Sequence, residues 1–532
     1  MTALAGLLSE KMQAQQDVAR ILAIDILAPA TRGRDDRNAF VQGPCAIAAH
    51  THRTIDLTPD GAQPFTTAPF TVALDGYVAN ALILRREMED TGDATFRGHG
   101  DAEIIAQGAK LWGLNRLLQK LEGAFTFALW DAENAALHLV RDRMGARPLY
   151  VTAFDGMTAF ASDLQGFRRL PGFSPVIDTQ GAAAYLAFGH VAAPRTLWKD
   201  VISIPPGHRM MIKTAENSLP KAEMYWSPAT TVEESALRGG GDSVRLERLI
   251  AALSGEATRL DVPFSMIDDF TPATFQLRSN LDRASDKPYK AIPLTLPDGA
   301  ALQIAYESLS LLPEPVADPM AASWYLACKN AANDTGVLLA ANGVEIPPPE
   351  DSRTRRLRKT LDLVPGLFKP LLPARFAGIS GNAEARYLTR TRLWPLDAPD
   401  PDVIEPRIDA TLASRIAFYE CADRLRNAVL PGLDRIAFAA GIELRLPMAD
   451  ARVLDIGLPV ASAAGNPDIA TWLRGPLRPR VAAQMTKDAF DRLGIEQSAP
   501  FTDAWKDFLA GDNTRTRPLW ALSTLLAWSG RQ

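Results

Sequence analysis

The sequence predicts two domains in series, an α+β sandwich over residues 1–226 and a helix-rich α/β domain over residues 244–532. Three observations predict this. The chain has 532 residues, several times the ~150 of a usual single domain. Apolar residues fall in short strand-like runs in the first part and at helical spacing in the second. Between them, residues 227–243 carry Pro228, paired threonines and Gly239-Gly240-Gly241, the composition of a linker.

In order along the chain, strands are predicted at Phe70–Leu74, Phe125–Trp130, Leu137–Arg141 and Thr158–Ala161, where apolar residues alternate or run together. Helical periodicity marks Asp101–Leu118 and Thr179–Phe188, and strands with intercalated helices make an α+β sandwich. Beyond the linker, helices are predicted at Val244–Leu260, Ala301–Leu312, Ala321–Ala332, Arg415–Ala440 and Ala470–Arg492. Strand candidates there are few, Pro263–Ile267 and Gly336–Ala341, so the second domain reads as helices around a small sheet.

Composition narrows the function. Lys and Arg number 57 against 62 Asp and Glu, a net charge of −5, which supplies no field for a phosphate backbone. Nucleic acid is therefore not an expected partner. Cys45, Cys328 and Cys421 are far apart and form no CxxC, so neither a disulfide framework nor a thiolate metal site is expected. No run approaches the ~18 apolar residues of a membrane span. The start, MTALAGLLSE, has no basic residue ahead of its apolar patch, and a cytoplasmic protein is expected. All six histidines precede residue 209, so chemistry in the second domain would run without imidazole.

Several blocks carry a resemblance. Leu121 to Asp131 reads LEGAFTFALWD, similar to LDGMFAFALWD, and Arg141 to Tyr150 reads RDRMGARPLY, similar to RDRLGIKPLY. Pro194-Arg195-Thr196-Leu197 and Pro205-Pro206-Gly207-His208 fit PRTLF and LPPGH. Glu314 to Pro319 resembles EPFADP, and Asp434-Arg435 followed by Glu443 to Asp450 resembles DR…EVRVPFLD. These strings belong to the glutamine-dependent asparagine synthetases and their β-lactam synthetase and lasso-cyclase relatives. The resemblance implies an N-terminal-nucleophile (Ntn) glutaminase sandwich followed by an ATP-pyrophosphatase-like synthetase domain. Fold alone does not fix activity.

In the resembled glutaminases, a cysteine exposed after Met removal attacks the glutamine amide, with its own amine as base. Here Thr2 stands at that position. The NGEIYN loop, which helps bind substrate and build the oxyanion hole, becomes Asp75-Gly76-Tyr77-Val78-Ala79-Asn80. Asp75 replaces an amide donor by a negative charge beside a developing oxyanion, which opposes catalysis. The SDTE segment becomes Gly100-Asp101-Ala102-Glu103, so Asp101 keeps the carboxylate that would hold the glutamine ammonium. The arginine that clamps the substrate carboxylate falls near Thr51, with Arg53 the nearest basic residue.

The resemblance also implies a pyrophosphate loop, SGGLDSS, after the strand Pro263–Ile267. The chain instead reads Asp268-Asp269-Phe270-Thr271-Pro272-Ala273-Thr274. Side chains replace both glycines, Pro272 removes an N–H donor, and Asp268 and Asp269 oppose a triphosphate. The second phosphate motif retains Gly343 and a shifted acid, Glu345, before Pro347-Pro348-Pro349. The stretch between the loop and Glu314 is shorter than the resemblance implies, and the strand region that contacts the nucleotide base is expected to be missing. Lys487 matches a transition-state lysine, and Glu443 matches the acid of EVRVPF. Structural ion pairs, Glu443 with Arg445 and Asp434 with Arg435, are the competing reading of these charges.

These readings add up to an asparagine-synthetase-like protein with degraded glutaminase and ATP sites. It is expected to act as a scaffold or partner subunit in amide-forming biosynthesis, as a homodimer or paired with an active paralogue or another biosynthetic enzyme. No metal site is expected, and Mg·ATP would be the cofactor only of an active enzyme. The alternatives are an active, divergent ATP-dependent amide ligase or cyclase, and a Thr2-dependent Ntn amidohydrolase.

Overall fold

The computed structural model describes residues 2–27, 35–213, 218–237, 243–269, 271–284, 288–341, 383–407, 412–455 and 467–532. The expected linker glycines Gly239 to Gly241, together with Phe270, Gly343 and Glu345, lie outside the described residues.

Twelve strands build the first domain: β1 (Ala3–Leu8), β2 (Asp36–Gln42), β3 (Cys45–Thr51), β4 (Phe65–Thr67), β5 (Phe70–Val78), β6 (Gly123–Asp131), β7 (Ala136–Arg141), β8 (Tyr150–Phe154), β9 (Met157–Ala161), β10 (Val201–Ser203), β11 (His208–Ile212) and β12 (Glu223–Met224). They form two six-stranded sheets, ordered β10-β8-β9-β1-β3-β2 and β12-β11-β7-β6-β5-β4. Pairing within both is antiparallel.

Side-chain alternation explains the layers. Leu4, Leu8, Ile47, Leu137 and Leu139 meet between the sheets. On the other face of the first sheet, Ala3, Ala5 and Leu7 pack against helices α1 (Gln16–Ile26) and, further on, Thr179–Phe188. The second sheet turns Val72, Leu74, Phe127 and Leu129 toward α2 (Ala81–Glu89), α3 (Asp101–Trp112) and α4 (Leu114–Lys120). The order helix, sheet, sheet, helix is the Ntn-type sandwich. The helix expected over Asp101–Leu118 is two helices, because Gly113 adopts φ 75° and breaks it.

The linker expectation is corrected. Pro228–Leu237 is a helix, and Ser235 Oγ donates to Asp455 O at 2.7 Å, so this segment packs on the second domain.

The second domain centres on a four-stranded parallel sheet. Its strands are β13 (Phe264–Asp268), β14 (Tyr289–Pro293), β15 (Val337–Leu339) and β16 (Glu443–Arg445), in the order β14-β13-β15-β16. The short stretch between the loop and Glu314 carries one strand, β14. Chain order reverses on either side of β13, so the β13–β15 boundary is the topological switch point, where α/β sheets open a crevice at strand C-terminal ends.

The helix expected over Arg415–Ala440 runs from Leu412 to Ala440, but its middle, Glu420–Val429, is π-helical. The one expected over Ala470–Arg492 is three short helices, Ile469–Arg474, Arg478–Gln484 and Lys487–Arg492, interrupted at Gly475 and near Met485 and Thr486. One continuous apolar cluster joins the domains, from Tyr150, Tyr185 and Trp198 to Tyr306, Trp324, Phe438 and Trp520. Among the described residues, no helix is long and apolar enough to cross a membrane.

Candidate functional site

Thr2 immediately precedes β1 and is buried, 5 % exposed. The β1–β3 register places Ala3 opposite His50, so the next pair outward is Thr2 with Thr51. By alternation these two face the space between the sheets, and His50 faces away from them. Thr51 Oγ1 is buried without a hydrogen-bond partner, as are both ring nitrogens of His50. Burial first, then Arg37, pushes His50 down to about 4, so its imidazole is neutral at pH 7.

Asp75 lies in β5 opposite Thr126 and is fully buried. It faces the charge of Arg147: burial opposes that guanidinium, but Asp434 foremost, with Asp75 and Glu443, raises its pKa. Asp75 is thus part of a buried charge cluster. Gly76 has φ 109°, and a Cβ there would sit 2.0 Å from Ala124 O, so only glycine fits this step of the strand.

Asp101 is 5 % exposed, and both of its oxygens are occupied. Oδ2 accepts the Val78 N–H at 2.8 Å, and Oδ1 accepts from Arg259 Nη2. Arg259 also donates to Val78 O at 3.1 Å. A guanidinium from the second domain therefore sits where the resemblance would place a substrate ammonium. Arg53 is held by Asp36 at 2.5 Å and by the carbonyls of Leu57 and Thr58, which makes it a loop staple.

At the switch point, β13 ends at Asp268 and the chain turns into the helix Pro272–Ala284. Asp269 Oδ1 accepts the Thr271 N–H at 3.1 Å, the Thr271 hydroxyl at 2.8 Å and the Thr274 hydroxyl. The Thr274 N–H in turn donates to Thr271 Oγ1 at 3.2 Å. The N–H and hydroxyl groups of Thr271 and Thr274, which could help cradle a phosphate, are thus satisfied internally, around a carboxylate. These residues do not fit a triphosphate and its Mg²⁺. Among the described residues, no group of three or more His, Cys, Asp or Glu side chains is placed to hold a metal ion.

Lys487 opens the exposed helix Lys487–Arg492, is 84 % exposed, and pairs with Asp491 at 2.6 Å. Glu443 lies on β16, fully buried, with Arg445 Nε at 2.7 Å and the Thr54 hydroxyl at 3.1 Å. Burial works against its carboxylate, but the N-terminal amine foremost, then Arg445 and Arg147, outweigh it and hold Glu443 well below the usual carboxylate range. The structure does not bring Lys487 and Glu443 into contact. The expected Asp434–Arg435 pair is corrected as well: Asp434 binds Arg147, and Arg435 binds Glu314 at 2.6 Å.

Sequence reasoning missed Arg259, which no local pattern marks and which lies 158 positions from its carboxylate. It also missed that the charged motifs meet across the domain boundary. Arg147 Nη2 donates to Leu444 O at 2.9 Å, Tyr150 to Glu314 at 2.9 Å, and Arg426 to the carbonyls of Arg143 and Pro206 at 2.9 Å.

Residues 1–226, the Ntn-type sandwich, match the family model of the glutamine amidotransferase domain. Over most of its length the chain is similar to glutamine-hydrolysing asparagine synthetases. It is 24 % identical over 576 aligned residues to a putative glutamine-hydrolysing asparagine synthetase of Mycobacterium tuberculosis, covering 90 % of this chain and 86 % of that protein. Asparagine synthetase 1 of Bacillus subtilis is 22 % identical over 455 residues, covering 75 % of this chain and 71 % of that one. Among solved structures, the B. subtilis glutamine PRPP amidotransferase covers 68 % of this chain and 77 % of its own at 12 % identity, with a TM-score of 0.31.

Proposed function

We propose that this protein is a catalytically impaired member of its family, kept as a two-domain scaffold or partner subunit in amide-forming biosynthesis. The observation that carries the reading is the Arg259–Asp101 contact. The carboxylate suited to a substrate ammonium is already neutralised from within, and a ligand would have to displace a partly buried guanidinium. Thr2 in place of a thiol and the self-satisfied turn at Asp269 support the same reading at both sites.

The test has two arms. Thr2→Cys, with Met1 removed, should release no glutamate from glutamine above the wild-type background, because Asp75 and Arg259 still shape the pocket. Calorimetric titration with Mg·ATP should give no saturable heat. Glutamate release by the single variant, micromolar ATP affinity, or pyrophosphate release with any carboxylate would overturn the reading.

A further inference from the structure

Among the described residues, a group of positive side chains surrounds a cavity away from both positions discussed above. A cavity of about 190 Å³ opens between the domains, walled by the segment after the helix Thr179–Phe188, by Glu314 to Ala321, and by the π-helical stretch and the turn that follows it. Five arginines line it, Arg141, Arg195, Arg424, Arg435 and Arg517, against three carboxylates, Glu314, Asp318 and Glu420.

Two of these guanidinium groups are incompletely satisfied. Arg141 is 2 % exposed; its Nη atoms donate to Ser203 Oγ and to the carbonyls of Ile204 and Gly145, and its Nε has no partner. Arg435 spends Nη1 on Glu314, and its buried Nε also has no partner. A buried donor left unpaired is costly unless a ligand completes it.

A third positive group backs the wall. His190 lines the cavity, with Nε2 at 2.9 Å from Asp423 Oδ1 and Nδ1 at 3.2 Å from Phe188 O. Both neighbours are acceptors only, so both ring nitrogens donate and the ring is an imidazolium. Asp423 is held from behind by Tyr387 at 2.7 Å and Asn427 at 3.1 Å. The ten-residue π-helical run that carries Asp423 also brings Glu420, Arg424 and Ala428 to the cavity. π-helical segments are rare and concentrate at functional sites. Leu197, Val316, Trp324, Leu433 and Ile436 add an apolar patch to the wall, beside the polar Ser203, Thr391 and Asn427.

We infer that this inter-domain cavity binds a small organic anion, its carboxylate or phosphate head on the arginines and a compact apolar body against the apolar patch. Planar guanidinium donors suit both heads. A cavity of ~150 Å³ holds benzene, so this one takes a body of about one substituted ring. The site stands whether or not either catalytic position is active.

The test uses the full chain and four probes: benzoate, phenylphosphonate, inorganic phosphate and benzyl alcohol. Calorimetry at low salt should show saturable binding of benzoate or phenylphosphonate, and the preferred one identifies the head group. Benzyl alcohol should not bind, and inorganic phosphate should bind more weakly than phenylphosphonate. Arg424→Gln and Arg517→Gln, both at accessible side chains, should each weaken binding about tenfold. Ala428→Phe, which fills the cavity without touching a charge, should abolish it. The inference is overturned if neither aromatic anion binds at millimolar concentration, if benzyl alcohol binds as well as they do, or if the Arg424→Gln/Arg517→Gln double variant keeps wild-type affinity while melting normally.

Discussion

Glu443→Ala should damage the protein through stability. Glu443 and Arg445 are 2 % and 1 % exposed, and the guanidinium lies 4.2 Å from the Tyr77 ring centre, in the other domain. Arg445 keeps the Ala257 carbonyl at 3.0 Å but loses its counter-charge, and Nη2 already has no partner. Breaking a buried pair from one side costs ~3–5 kcal/mol. At about 2–4 °C per kcal/mol for a unit of 150–250 residues, Tm should fall by roughly 6–20 °C. Glu443→Ala/Arg445→Met should recover much of that loss, because an apolar pair carries no orphaned charge. The folded pKa of Glu443 is depressed below its ordinary 4.5, so its stabilisation is fully present above that pH. It is lost as pH falls through the folded value, and the difference between wild type and variant should close there. Differential scanning calorimetry from pH 7 downward reads all three effects. A Tm unchanged in the single variant, or a double variant as unstable as the single, would refute the reasoning.

Lys487→Ala should leave both Tm and biological function unchanged in a complementation assay, since its exposed pair with Asp491 is screened by water. Loss of function with a normal melt would show that this helix still serves chemistry. Arg259→Ala should lower the urea midpoint, because Asp101, 3 % exposed at its side chain, would keep one backbone donor and lose its counter-ion, at roughly 1–3 kcal/mol. An unchanged midpoint would mean that the contact contributes nothing to the domain interface.

The parts of the fold that could be read from the sequence are those where one face meets solvent or a turn residue punctuates the pattern. Thr179–Phe188 was legible to the residue because Asp178 caps it and Gly189 ends it in the left-handed region. Strand β1 was not, since its run ALAGLL has a glycine in the middle and none of the β-branched or aromatic residues that mark a strand. The π-helical run Glu420–Val429 has no sequence signature of its own and was absorbed into one long helix. At the sites, the replaced residues Thr2, Asp75 and Asp269 were visible by comparison with a motif. What occupies their surroundings was not, because Arg147 meets Asp434 across 287 positions and Arg259 meets Asp101 across 158. Only folding brings such pairs together.

That distribution bears on why some motifs persist in this chain and others do not. The blocks most like the family supply the residues that close the domain boundary: Arg147 with Asp434, Glu314 with Arg435 and Tyr150, and Glu443 and Arg445 against Thr54 and Tyr77. The altered positions are Thr2 before β1, Asp75 within β5, and the turn after β13. A buried ion pair stabilises little against an apolar substitute, yet losing one partner is severe, so both members must be retained together or replaced together. A residue that serves only a substrate has no such coupling and changes alone once its ligand no longer matters. Retained interface pairs beside altered positions are therefore what a protein kept for its two-domain architecture would accumulate. An active divergent ligase would instead need phosphate donors re-created near β13, where the N–H groups of Thr271 and Thr274 are already committed.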